Sequence, residues 1–410
     1  MIRSIEELPR DPDVSILARP VRGVNFVLKN ALAVQPMEGC DGTADGAPGG
    51  LTYRRYERFA AGGAGLLWAE AISVVPEGRA NPRQLMLTEE NVGAFQKLTG
   101  IAHAHGAVIV AQLTHSGRFS RPVDARAPIR ASKNPALDAL QKLSDDYPVA
   151  TDDYLKSMPE AYARATRLAR KAGFDGVDVK ACHLYLYSEL LGALNRPGPY
   201  GGAYENRVRL LKESVEAAKS ELSDDILASR FNLYDGEAGS WGVGEGLAVN
   251  LAEPLRLTRE LGQMGVALMN LTMGTPYLNP HVNRPYNKGG YVSDEPPVAG
   301  VKRLLDGCRA AQAVVPEAVC VATGFSYLGE HAPEIAAALV KSGGARAAGF
   351  GRMAFAYPDF ANDIIETGKM EKKKCCVTCS LCTKIMRGGG FVGCPVRDPA
   401  YKEELKKVMA

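Results

Sequence analysis

The chain has 410 residues, 46% of them hydrophobic and 23% charged, with a net charge of +3; this is the balance of a globular protein with ample core, long enough for one large domain or two to three average ones. Its longest apolar runs, such as 64–69 and 107–111, are strand-sized and far below a membrane span, and Met1-Ile2-Arg3-Ser4-Ile5-Glu6-Glu7 places acid where a secretory leader needs an apolar stretch. The basic residues lack the interleaved aromatics of a nucleic-acid surface, and the nine cysteines, five of them after residue 374, suit a reducing compartment, so a cytoplasmic protein with no nucleic-acid or membrane partner is predicted.

Apolar, β-rich runs recur in chain order at 28–34, 64–71, 107–113, 176–180, 226–233, 266–271, 318–323 and 347–351. Between them lie stretches of helical periodicity at 53–61, 90–104, 159–172, 204–221, 254–264 and 301–314. Continuous apolar strands alternating with amphipathic helices predict a parallel sheet covered on both faces. Eight such units in this length fit a closed (β/α)8 TIM barrel (class α/β) better than an open sheet. Neither GxGxxG nor GxxxxGK[ST] stands at a strand–helix junction.

In such barrels chemistry sits where strands end and the following loops begin. Those junctions read Gln35-Pro36-Met37, Trp68-Ala69-Glu70-Ala71, Gln112-Leu113-Thr114-His115-Ser116-Gly117-Arg118 and Lys180-Ala181-Cys182-His183-Leu184-Tyr185. The later strands contribute Arg230, Asn270 with Met273-Gly274-Thr275-Pro276-Tyr277, Gly324, and Gly351-Arg352. Polar and glycine residues gather at one rim, the pattern of an enzyme.

Beyond the barrel, expected over 1–370, the segment 371–410 carries Cys376-x2-Cys379-x2-Cys382-x11-Cys394 followed by Pro395. Three thiols at two-residue gaps and a lone fourth suit a cubane [4Fe-4S] cluster, whereas a zinc ribbon splits its cysteines into two distant pairs. Structural zinc, or reduced thiols without metal, remain the alternatives, and Cys375 stands beside Cys376 as a spare thiol or substitute. Residues 369–410 hold ten Lys/Arg against four Asp/Glu. Such a basic rim steers an acidic electron donor, unless it is simply a solvated terminal helix.

Leu28-Lys29-Asn30, Pro36-Met37, Gly63-Ala64-Gly65-Leu66 leading to Glu70, Pro76-Glu77-Gly78-Arg79, His105-Gly106, the 112–118 block, Gly173-Phe174-Asp175-Gly176-Val177, Tyr200-Gly201-Gly202-Ala203-Tyr204-Glu205-Asn206-Arg207 and Gly351-Arg352 stand in one order. That set resembles the Old Yellow Enzyme family of FMN-dependent ene-reductases. The cysteine tail is similar to that of its iron–sulfur branch, which includes 2,4-dienoyl-CoA reductases, enoate reductases and trimethylamine dehydrogenase. Those relatives continue into a second flavin and nicotinamide module, which the resemblance does not extend to here.

The resemblance implies FMN across the barrel mouth. Gln112 would bind the pyrimidine edge and Arg230 the N1 region, with Pro36, Met37 and Ala69 along the ring. Gly324 and Gly351 amides with Arg352 would hold the phosphate. Ene reduction needs a donor for the substrate carbonyl, reducing equivalents at the β-carbon and an acid for the α-carbon. In many members a His-x-x-His or His-x-x-Asn pair anchors the carbonyl; here Lys180-x-x-His183 departs at the first position. Tyr185 stands where related reductases carry their proton donor, with Tyr187 competing. His281 would cap the substrate or act as a second acid, while His115 and Arg118 would shape the flavin site. Electrons would come from NAD(P)H, or through the cluster from reduced ferredoxin or a flavoprotein. An amine dehydrogenase, which needs an aromatic cage although Trp68 and Trp241 are the only tryptophans, and a non-catalytic electron carrier are the rival readings. A small unsaturated carbonyl compound is the expected partner, and a homo-oligomer stays open.

Overall fold

A computed structural model describes residues 2–122 and 129–410. Eight parallel strands close into one barrel: Leu32–Val34, Leu66–Ser73, Val108–Thr114, Gly176–Val179, Ile226–Tyr234, Leu268–Met273, Val319–Ala322 and Ala347–Phe350. Each pairs with its neighbour in the chain, and Gly349 opposite Ala33 joins the eighth strand to the first. Nearly every strand residue is buried, because alternate side chains fill the barrel or meet the surrounding helices.

The expected strand 28–34 is shorter, and the cause is Asn30. Its side chain donates to the Gly63 carbonyl at 2.8 Å and accepts from the amides of Leu32 and Gly65 at 3.1 and 2.8 Å, taking the place of ladder bonds. Leu28 instead belongs to a small hairpin, Val21–Arg22 with Val27–Leu28. The expected helix 159–172 begins earlier, as Asp152–Lys171, with Thr151 Oγ1 capping the Tyr154 amide at 3.1 Å. Pro159 lies inside it, tolerated because Leu155, Met158 and Tyr162 already form a buried stripe at helical spacing. The expected helix 204–221 breaks at Val208 into Tyr204–Arg207 and Arg209–Glu221.

The tail lies against the barrel. Asp398, 2% exposed, takes ion pairs from Arg54 at 2.7 Å and from Arg58, both on the helix Gly50–Ala61. The Val392 amide donates to the Gly39 carbonyl at 2.7 Å, and the Cys376 amide meets Met353 Sδ at 3.3 Å. Among the described residues, no helix is long and apolar enough to cross a membrane.

Candidate active site

The strand ends surround one cavity. Its anchor is Asp178, fully buried on the fourth strand, which accepts from Trp68 Nε1 at 2.8 Å, Gln112 Nε2 at 2.7 Å and the Arg230 amide at 2.6 Å. Gln112 thereby commits its amino group and keeps its amide oxygen for a ligand N–H. Asp178 is not among the expected site residues; a carboxylate inside the apolar run Gly176-Val177-Asp178-Val179 is its one signal in the chain, since a buried charge needs dedicated partners.

Several cations face the cavity without a carboxylate within ion-pair distance among the described residues: Lys180, Arg230, Arg284 and Arg352. Arg230 Nε and Arg352 Nη1 are buried without an acceptor, although Arg352 Nη2 reaches the Pro285 carbonyl at 2.6 Å. Burial, with Arg352 beside it, pushes the Arg284 guanidinium down to about 10. Gln35 Nε2 is likewise unpartnered, while its oxygen accepts from Asn270 Nδ2 at 2.6 Å. Gly349 and Gly351 leave space here: a Cβ would come within 1.9 Å of Gln35 Nε2 at the first and 3.1 Å of Met37 Sδ at the second. This donor-rich, anion-poor wall fits a planar polar ring with a phosphate.

The fourth strand's end supplies the other groups. His183, in a left-handed turn (φ 66°), accepts at Nε2 from Asn283 Nδ2 at 3.0 Å, and burial together with Arg230 and Lys180 holds it well below the usual imidazole range. It is therefore neutral, and the Asn283 bond leaves Nδ1 as the protonated nitrogen. Lys180 Nζ lies 4.1 Å from the centre of the Tyr185 ring. The Tyr185 hydroxyl meets that of Tyr277 at 3.0 Å, and Tyr277 stacks on Phe119 with centroids 3.8 Å apart. Burial, and Tyr277 next to it, raises the Tyr185 phenol well above its ordinary value.

Of the expected site residues, Pro36, Met37, Gln112, Lys180, His183, Tyr185, Arg230, Gly324, Gly351 and Arg352 line this one cavity. Ala69 does not: it is fully buried, and Ala71 reaches the wall. The second strand bulges there, with Trp68 opposite Val110 but Ala71 opposite Gln112. His281 also lies outside, its Nδ1 bonded to the Tyr291 hydroxyl and its Nε2 3.9 Å from Glu295. Two residues apart on the short helix Pro280–Asn283, His281 and Asn283 point to opposite sides, and Asn283 is the one that reaches the site. Tyr187 turns away to Ser214 Oγ at 2.8 Å and packs on Tyr162. His115 accepts the Gly117 amide at 2.9 Å and contacts the Tyr154 hydroxyl at 2.7 Å, while Arg118 pairs with Glu189 at 2.6 Å and Asp138 at 2.7 Å; both brace the loop behind the cavity wall.

Cys376, Cys379, Cys382 and Cys394 line a separate small cavity, with Arg352 and Phe355. Cys375 is buried elsewhere, its thiol 3.4 Å from the Glu371 carbonyl. The Thr378 amide donates to Cys376 Sγ at 3.4 Å, and Thr378 and Ser380 are left-handed (φ 49° and 59°), an unfavourable backbone for these residue types that wraps the loop around the cavity. Burial pushes the Cys394 thiol up to about 11, opposed by the amides of Arg397 and Val396. Among the described residues, no three His, Cys, Asp or Glu side chains converge on a single-ion site. Cys382 and Arg352 line both cavities. Several tail lysines are neutralised locally, Lys372 by Glu330 at 2.9 Å, Lys406 by Glu403 at 2.7 Å and Lys407 by Glu404 at 2.6 Å.

A family model described as the NADH:flavin oxidoreductase / NADH oxidase family matches residues 17–285. An NADPH dehydrogenase of Halalkalibacterium halodurans is 33% identical over 263 residues, covering 62% of this chain and 71% of that protein. Another, of Geobacillus thermodenitrificans, is 30% identical over 266 residues, covering 63% and 73%. Among solved structures, a 2-naphthoyl-CoA reductase complexed with 2-naphthoyl-CoA is similar at a TM-score of 0.76 and 19% identity, over 97% of this chain and 59% of that one. A 6-hydroxypseudooxynicotine amine oxidase from Pseudomonas geniculata gives 0.75 and 20%, over 96% and 55%. The Old Yellow Enzyme homologue of Zymomonas mobilis gives 0.68 and 24%, over 87% and 94%. The chain thus spans less than two thirds of the first two structures, and these three likenesses are of fold.

Proposed function

This chain belongs to the NADH:flavin oxidoreductase / NADH oxidase family and is an Old Yellow Enzyme-like, FMN- and NAD(P)H-dependent oxidoreductase, and on that premise we propose that it reduces an activated C=C bond in an α,β-unsaturated carbonyl compound, acid or thioester. The carrying observation is that His183 and Tyr185, from one strand end, face the same cavity as Gln112 and Arg230. Gln112 and Arg230 would hold the FMN ring beside Pro36 and Met37; Arg352, with Arg284, would hold its phosphate near Gly324 and Gly351. Bound there, FMN supplies the reducing equivalents.

The chain's own groups do the rest. Neutral His183 donates from Nδ1–H to the substrate oxygen, while Asn283 fixes the ring from the other side. Lys180, whose ammonium is free of a carboxylate ion pair among the described residues, adds positive charge where the oxygen becomes negative. Tyr185 keeps its proton at neutral pH and passes it to the α-carbon, with the Tyr277 hydroxyl bonded to it at 3.0 Å. Trp68 and Trp241 are tied to Asp178 and to the Asn232 carbonyl, away from the cavity, and the cationic wall opposes a methylated amine. Both points weigh against amine oxidation.

That Cys376, Cys379, Cys382 and Cys394 line one cavity favours the reading in which they would hold a [4Fe-4S] cluster, which would supply single-electron transfer when bound. Reduced ferredoxin or a flavoprotein then becomes a donor alongside NAD(P)H, although local pairing of the tail lysines weakens the case for an acidic partner.

The test is an anaerobic ultraviolet–visible spectrum of the purified protein with iron and sulfide assays, then NADPH and a neutral enone in turn. Flavin bands bleached by NADPH and restored by the enone are expected, over a broad iron–sulfur shoulder. Flavin without iron removes the cluster alone; a reduced flavin that no enone reoxidises removes ene reduction. Cys376→Ser is expected to lower the iron content and Cys375→Ser to leave it unchanged.

A further inference from the structure

A second cleft adjoins the active-site cavity, sharing Glu38, Tyr277 and Met386 with it. Part of its wall is apolar, with Phe119, Tyr277 and Leu140, the last 48% exposed. Three exposed cations line it as well: Arg121, Lys142 and Arg387. None has a carboxylate within ion-pair distance among the described residues. Both guanidiniums are braced by backbone instead, Arg121 Nη1 on the Ser120 carbonyl at 2.9 Å and Arg387 Nη2 on the Pro276 carbonyl at 3.2 Å. The one carboxylate in the lining, Glu38, sits on the shared wall, where it accepts from Asn81 Nδ2 at 2.7 Å and faces Lys180. The cleft therefore has an apolar body and a positive lining, and it opens from the chamber where reduction is placed.

We propose that this outer cleft is an anion subsite that seats the phosphate-bearing end of an extended ligand whose reactive end lies in the inner cavity. The inference rests on the ene-reductase reading only for what the reactive end does. Guanidinium and ammonium groups without internal counter-ions match phosphate oxygens, and the apolar wall suits the linker between phosphate and reacting carbon. Two sources carry this chemistry, an unsaturated acyl thioester of a phosphorylated carrier and the dinucleotide donor itself.

The experiment uses the FMN-loaded protein and its Arg121→Gln/Lys142→Gln/Arg387→Gln variant. Coenzyme A and 2′-phospho-ADP-ribose serve as separate calorimetric probes, at low and high salt. Turnover is compared between a neutral enone, an unsaturated coenzyme A thioester and the same acyl group on N-acetylcysteamine. We expect at least one phosphorylated probe to bind the parent and to bind the variant about tenfold or more weakly, with a shallower salt dependence. With NADPH held saturating, enone and N-acetylcysteamine thioester turnover should stay within about twofold, since exposed charges away from the reacting atoms act on binding. Loss confined to coenzyme A assigns the cleft to the substrate, and loss confined to the dinucleotide fragment assigns it to the donor. A parent that binds neither probe, or a variant that binds them equally well, overturns the proposal. Failure of the enone alone sinks ene reduction and leaves the probe binding to decide the cleft.

Discussion

Lys180 shows how a departure from a family pattern is accommodated at a single residue. Its ammonium is buried and lies on the face of Tyr185 rather than in an ion pair. Burial lowers its pKa, opposed by Cys182 and Glu38 nearby. The sign follows: the charge is present below the lowered pKa and is lost as pH rises through it, at a pH below that of an ordinary lysine. We therefore expect kcat/KM for an enone to fall on the alkaline side, with that limb absent in Lys180→Met and retained charge in Lys180→Arg shifting it upward. Lys180→Met should reduce kcat/KM about 100- to 1000-fold, the range for losing one donor that stabilises an oxyanion. No acidic limb from His183 is expected near pH 6 to 7, because its neutral form persists well below that range. At the proposed proton donor, Tyr185→Phe should slow flavin reoxidation by the enone about 100-fold or more while leaving flavin reduction by NADPH unchanged. Tyr277→Phe should give a smaller loss in the same half-reaction, since it touches the donor and not the substrate.

Elements explain why some residues reach the site and neighbours do not. The one-turn helix Pro280–Asn283 presents Asn283 inward and His281 outward, a consequence of helical rotation that a linear reading of the loop does not show. A bulge in the second strand likewise exchanges Ala69 for Ala71 at the cavity wall. The tail is positioned by the helix Gly50–Ala61, through Arg54 and Arg58 on Asp398. Those guanidiniums, with the Ala400 amide, hold the Asp398 carboxyl below its ordinary range in spite of burial. Its contribution is therefore present above about pH 4 and lost as pH falls through the lowered value. Asp398→Asn should destabilise the protein by about 1–2 kcal/mol at pH 7, discounted because both arginines are partly exposed. That loss should shrink toward pH 3, as thermal melts across pH would show; an equal loss at both ends would mean the carboxylate charge is not what docks the tail.

For the whole molecule, the concentration of unpaired cations in one cavity is a stability statement as well as a binding one. Lys180, Arg230, Arg284 and Arg352 raise the energy of the unliganded fold, so an anionic cofactor that enters should stabilise it strongly. At 100 times its dissociation constant, FMN should add about 2.7 kcal/mol, read as a rise of several degrees in Tm over the stripped protein. Riboflavin, which lacks the phosphate, should give a clearly smaller rise, and equal rises would remove Arg284 and Arg352 from phosphate binding.

The amino-acid sequence by itself determined the repeat of strand and helix, and hence the closed eight-stranded barrel, because burial on both faces writes an unbroken apolar run into each strand. It also marked which strand ends gather around one cavity, since polar and glycine residues there interrupt an otherwise apolar pattern. Tertiary structure alone decided what depends on direction rather than order: Asp178 gathering Trp68, Gln112 and Arg230, Asn283 in place of His281, and Tyr277 against Tyr185. Each of these contacts joins distant parts of the chain or turns on a local rotation. A side chain's partners are set by where the closed barrel brings the strand ends together, and no local pattern in the chain records that.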